Sequence, residues 1–70
     1  MENLRVFDKI GLYDDVLVTM PHEKLSKMYR VIENDKLFVT LQRVSDGELW
    51  RVSKSYMNNH KQMFELVESF

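Results

Sequence analysis

Asp46-Gly47 stands between two stretches whose apolar residues alternate, and nothing else in the chain constrains its fold as tightly. Before it, Leu37, Val39 and Leu41 alternate with Phe38, Thr40 and Gln42. After it comes Leu49-Trp50-Arg51-Val52. A period of two is strand patterning, because successive side chains leave a strand on opposite sides. Gly accepts the positive φ that tight hairpin turns demand. Residues 36–53 therefore read as a β-hairpin. A two-residue turn sets Leu41 opposite Val52 and Arg43 opposite Trp50, with Leu37, Val39, Leu41, Trp50 and Val52 on the core side. A bulged turn shifts that register by one residue.

Upstream, the punctuation is sparse: Gly11 and Pro21 are the only other Gly and Pro in 70 residues. Leu4, Phe7 and Ile10 suit one face of a short helix closed by Gly11, and Leu4 and Val6 equally suit an edge strand. Asp14 to Thr19 is β-branched and reads as a strand ending at Pro21, which cannot donate to a ladder. Residues 21–27 are polar and read as a loop or a single helical turn. Met28 to Glu33 is a strand in preference to a helix, with Asn34-Asp35 as a second two-residue turn. That turn pairs Glu33 with Lys36, Ile32 with Leu37, Arg30 with Val39 and Met28 with Leu41.

The C-terminal segment has two readings. Tyr56, His60, Met63, Val67 and Phe70 recur at helical spacing, which predicts an amphipathic helix over about 55–69, capped by Ser53 or Ser55. Alternatively, one helical turn near 55–57 is followed by a last strand, 64–67. The fold class is thus mainly β, a small barrel or a three-stranded antiparallel meander over about 28–53. The alternative is an α+β fold with the sheet backed by the C-terminal helix.

Five strand-like segments follow one another: Asp15-Val16-Leu17-Val18, Tyr29-Arg30-Val31-Ile32, Phe38-Val39-Thr40-Leu41, Trp50-Arg51-Val52 and Phe64-Glu65-Leu66-Val67. In pattern this resembles a small SH3-like β-barrel. Such folds often place a helical turn before the last strand, which Ser55-Tyr56-Met57 would supply. The resemblance spans about three quarters of the chain and rests on strand lengths. The acidic first loop and paired aromatics of peptide-binding SH3 domains are not in the sequence.

A chain of this length forms one small domain that buries only ~60% of its unfolded surface. It contains no Cys, which excludes disulfides and thiolate zinc sites. Residues 1–5 lack the basic and apolar regions of a signal peptide, and no apolar run reaches membrane-spanning length. The expectation is a complete cytoplasmic product with no membrane partner. Ten basic and eleven acidic residues give a net charge of −1, so no polyanion-binding footprint appears at whole-chain level.

Catalytic chemistry finds little purchase. His22 and His60 have no third ligand at metal-binding spacing. Asp14 and Asp15 are neighbours on a strand and point to opposite faces, so turn capping or edge protection explains them better than paired acid–base work. Ser53 and Ser55 lie near His60, yet no Gly-rich elbow surrounds them, and helix capping accounts for them. No phosphate, dinucleotide or zinc-protease motif is present. The expectation is a non-enzyme with no cofactor.

Two functional readings remain. The leading one is a non-enzymatic interaction module, a regulator, inhibitor or adaptor, binding another protein or a second copy of itself. Val31, Phe38, Val44 and Leu49 fall on the face opposite the expected core and would form its apolar contact surface. Stand-alone proteins of this size are frequent among phage and mobile-element accessory genes. The alternative is a small nucleic-acid-binding β-barrel using Arg30, Arg43, Arg51 and Lys54 with an aromatic on the sheet.

Overall fold

The computed structural model describes residues 6–20 and 23–67, apart from the side chain of Val6. Leu4, Pro21, His22 and Phe70, each part of an expectation above, lie outside that range. The protein is mainly β. Five strands, β1 (Asp15–Met20), β2 (Leu25–Asn34), β3 (Phe38–Arg43), β4 (Leu49–Ser53) and β5 (Phe64–Val67), form one antiparallel sheet. Its order is β4-β3-β2-β1-β5. The expected meander is its β2–β3–β4 end. A 3-10 turn, Val6–Lys9, precedes the sheet, and one short helix, α1 (Lys54–Asn59), separates β4 from β5. No helix among the described residues is long and apolar enough to cross a membrane.

The hairpin around Asp46-Gly47 is present, with a longer loop. Arg43 N donates to Glu48 O at 2.8 Å, and Gly47 N donates to Arg43 O at 2.7 Å, so residues 44–47 form the loop. Gly47 closes it at φ +80, a conformation that side-chain-bearing residues rarely adopt. Leu41 therefore faces Trp50 and Val39 faces Val52. The partner of Leu41 has moved by two positions from Val52. An even slip preserves faces, so Val39, Leu41, Trp50 and Val52 all point inward as expected.

The β2–β3 connection slips by four positions at the turn, Val39 facing Asn34 in place of Arg30, and a bulge then makes the slip odd. Asp35 N donates to Phe38 O at 2.8 Å, which puts Lys36-Leu37, and not Asn34-Asp35, in the turn. Leu41 now faces Val31, three positions from Met28, and the register shifts again between Val31 and Glu33 at a bulge on Ile32. An odd slip exchanges the two faces of a strand. Tyr29 and Val31 consequently enter the core, which corrects the placement of Val31 on the outer surface. Leu37, expected inside, is 65% exposed at the turn.

The C-terminal segment follows the turn-plus-strand alternative, which corrects the long helix over 55–69. Ser53 caps α1 by accepting from Tyr56 N at 2.9 Å. The helix ends at Asn58-Asn59, poor helix formers, and Met63 N donates to His60 O as the chain turns back. The next four residues then pair with the open edge of β1, Val18 facing Phe64 and Asp15 facing Val67. Burial of Phe64 at 4% exposure anchors that choice.

The core comprises Phe7, Ile10, Val16, Val18, Tyr29, Val31, Val39, Leu41, Val52, Met57 and Phe64. Met57 seals it from α1 and Phe7 from the 3-10 turn. These two elements are tied by Asn58, whose Oδ1 accepts from Phe7 N at 3.0 Å and whose Nδ2 donates to Asp8 Oδ1 at 3.0 Å. The sheet is strongly bent. Trp50 on β4 stacks on Phe64 of β5 with ring centroids 5.7 Å apart, although these strands are at opposite ends of the sheet order.

Candidate interaction surface

The outer face of the sheet carries the side chains that alternate with the core residues. Asp15 pairs there with Arg30 across β1–β2, Thr19 with Ser26, Thr40 with Arg51 and Gln42 with Leu49. The bulge at Ile32 breaks this regular surface. Opposite the bulge, Gly11–Asp14 approaches β2 from the other side. Tyr13 N donates to Val31 O at 2.7 Å and Val31 N donates to Asp14 O at 2.9 Å. Tyr13 takes φ 69 to make this bond, a strained value for a tyrosine.

Between that loop and the β2–β3 turn lies an open groove of about 410 Å3. Leu12, Ile32 and Phe38 give it apolar walls. Thr40, 9% exposed, lines it and donates from Oγ1 to Glu33 Oε1 at 3.0 Å. Asp35 and Arg51 stand at its rim, 3.9 Å apart. The Arg51 guanidinium lies over the Phe38 ring, 4.7 Å from its centroid, a cation–π arrangement that holds the ring in place. Apolar walls within a charged rim are the composition of a recognition surface.

The four residues expected at this surface separate. Phe38 lines the groove at 37% exposure. Leu49 and Val44 are exposed, but at the far end of β3: Leu49 faces Gln42, whereas Phe38 faces Ser53. A strand of six residues spans about 20 Å, so these residues share no site with Phe38. Val31 is in the core. Leu12 and Ile32 were not legible as groove residues. Leu12 sits in a loop, and Ile32 is placed by a bulge that leaves no local sequence signal.

The four cations of the nucleic-acid alternative are also dispersed. Arg30 Nε donates to Asp15 Oδ1 at 3.1 Å. Arg43 donates through Nε and Nη2 to the two oxygens of Asp46, at 2.8 and 2.7 Å, and reaches Glu48 Oε1 at 3.2 Å. The hydrogen bonds from Arg43 hold the Asp46 carboxyl down at about 2, helped by Glu48 N donating to it, and Asp46 in turn raises Arg43. Arg51 is on the groove rim, and Lys54 opens α1, its N–H donating to Leu37 O at 2.9 Å. All three arginines lie against carboxylates, which lowers the field they offer to phosphate.

The other candidates settle into local roles. Asp14 Oδ2 accepts from Gly11 N at 2.8 Å and Asp15 faces Arg30, so their carboxylates do not converge. His60 is exposed, stacked on Tyr56 at 4.1 Å, with Nδ1 2.9 Å from Tyr56 O. Ser53 is the cap of α1. No family model, curated protein or solved structure matches the chain. The outer-face groove therefore stands on its own geometry.

Proposed function

We propose that this chain is a non-enzymatic interaction module that binds another protein through the groove between Leu12, Ile32 and Phe38. The observation that carries this is the groove itself: apolar walls on the outer sheet face, rimmed by Glu33, Asp35 and Arg51. The five strands form a sheet that is not closed into a barrel, and its order β4-β3-β2-β1-β5, the helix before β5 and the Trp50–Phe64 contact across the two sheet ends are the features it has in common with a small SH3-like fold. In that architecture a pre-formed groove needs little rearrangement to receive a partner, which lowers the entropic cost of binding. Regulator, inhibitor and adaptor are the roles open to such a module.

The test is capture from lysate with wild type and Phe38→Asp, followed by titration of each captured protein into isotopically labelled chain. The expected result is loss of capture by Phe38→Asp and amide shifts centred on Leu12, Ile32 and Phe38. A captured protein that binds Phe38→Asp equally, or shifts only residues elsewhere, removes the proposal.

A further inference from the structure

Phe38 lines a second hollow besides the groove. This hollow measures about 520 Å3, and Lys36, Leu37 and Lys54 also line it. Leu37 is exposed there, as is Lys36, and Lys54 is half-buried. Two backbone bonds hold these residues together. Lys54 N donates to Leu37 O at 2.9 Å, which ties the β2–β3 turn to the start of α1. Lys36 N donates to Asp35 Oδ1 at 2.8 Å, which fixes the turn from its other side. The two lysines therefore flank an apolar wall whose backbone is already in place.

The charges of the groove and of the hollow differ in one respect. At the groove they are engaged within the protein: Asp35 lies 3.9 Å from Arg51, and Glu33 accepts from Thr40 Oγ1 at 3.0 Å. In the hollow, among the described residues, no ion pair involves Lys36 or Lys54. The hollow also holds Asp8, whose Oδ1 accepts from Asn58 Nδ2 at 3.0 Å. Two cations thus stand against one anion, beside an aromatic ring that the groove shares.

We infer that the partner of the groove is an acidic peptide segment, which lays an apolar side chain on Phe38 and places a carboxylate between Lys36 and Lys54. This rests on the groove reading above and names the chemistry of its partner. A surplus of one positive charge matches one carboxylate. A phosphate group carries nearly two negative charges, and Asp8 opposes the second. Phosphate recognition also favours the planar fork of arginine, and no arginine lines the hollow. Leu37 and Phe38 add apolar wall that a peptide side chain covers and a bare anion does not.

Random peptides displayed on phage are selected on the wild-type chain, and enriched sequences are synthesised and titrated. The expected sequences share an Asp or Glu within a few residues of a large apolar side chain. Changing that acid to its amide weakens binding roughly two- to five-fold, the range of an exposed ion pair. Lys36→Glu with Lys54→Glu weakens it at least as much, and Phe38→Asp abolishes it. A peptide with Lys in place of its acid regains affinity for the doubly charge-reversed protein, which also shows that this variant is folded. Peptides that need Phe38 but have no acidic preference, and bind the charge-reversed protein equally, overturn the inference and leave the groove reading standing. So does the absence of any enriched sequence, since a folded surface can still use the groove. Peptides indifferent to Phe38→Asp overturn both. Saturable shifts of the Lys36 and Lys54 amides by inorganic phosphate overturn the inference in favour of a phosphate site.

Discussion

Trp50 of β4 and Phe64 of β5 stack with an interplanar angle of 28°, joining the two ends of a sheet that share no ladder. Tyr29 meets Trp50 edge-on at 5.8 Å, and Tyr56 and Phe7 meet Phe64 at 6.1 and 6.0 Å. The bend of the sheet thus depends on an aromatic cluster rather than on backbone closure. Aromatic pairs contribute about 0.5–1.5 kcal/mol each beyond burial. Trp50→Ala removes two such pairs and much apolar area, a loss of about 3 kcal/mol. In a domain whose total stability is modest, that leaves a large unfolded fraction at room temperature. Trp50→Phe retains most of the contact. Urea unfolding followed by circular dichroism checks the order: wild type above Trp50→Phe, and Trp50→Ala far below both.

The helix before β5 is only six residues long and cannot persist by propensity alone. Its cap is the Ser53 hydroxyl on Tyr56 N. Ser53→Ala should cost about 1 kcal/mol, while Ser55→Ala, on an exposed position with no capping bond, should cost little. Thermal melts of the two variants separate them. Equal destabilisation would show that Ser53 does not act as the cap.

The 43–48 loop carries the pH dependence. Asp46 titrates at about 2 in the folded chain, below the usual carboxylate range, because Arg43 donates two hydrogen bonds to it. A carboxyl with a lowered folded pKa stabilises the fold above its unfolded value of about 4 and loses that contribution as pH falls. The window therefore runs from pH ~4 down to about 2. The Gly47 amide resonance should move with a midpoint near the lower end of that window. In Asp46→Asn, any shift of that resonance should follow the other carboxyls. Because the pair is solvent-exposed, the effect on global stability is small and falls with salt.

Two slips of register explain which parts of this fold were legible. The Asp46-Gly47 hairpin was mis-registered by two positions, and Val39, Leu41, Trp50 and Val52 still point inward, because side chains return to the same face every second residue. The Asn34-Asp35 hairpin was mis-registered by four at its turn, which draws Leu37 into the turn, and by three beyond the bulge at Ile32, which brings Val31 inward. The signal for a turn lies in its residues, but loop length is set by what the ends bond to. Here Asn34 turns inward, its Nδ2 donating to Ile10 O at 3.1 Å, 24 residues away in sequence. No local pattern contains that contact. The same holds for the groove: Phe38 was readable as an exposed aromatic, whereas Leu12 and Ile32 reach it through the bulge and a loop crossing.

That parity gives a sharp contrast between two apolar residues once assigned to the same surface. Val31 is fully buried against Leu41, so Val31→Ala leaves a cavity and costs about 2 kcal/mol. Phe38 packs against Arg51 at the surface, so Phe38→Ala should cost less than about 1 kcal/mol, the range of an exposed cation–π contact. Chemical denaturation measures both. Similar losses for the two variants would mean that Phe38 is a structural residue and not part of an open groove.

The arginines supply the last contrast. Binding to a nucleic-acid backbone draws on cations free to displace counterions, and affinity then falls steeply with salt. Arg30 and Arg43 are each held within 3.1 Å of a carboxylate, and Arg51 is committed to Phe38. The net charge of −1 adds no long-range attraction. Gel-shift titrations with single- and double-stranded DNA and RNA at ~50 mM salt should therefore show no retardation. Retardation that disappears by ~200 mM salt and weakens in Arg51→Ala would favour a phosphate-binding face instead. The position of Arg51 makes this decisive. It belongs to both the groove rim and the cationic set, and only phosphate binding carries the steep dependence on salt.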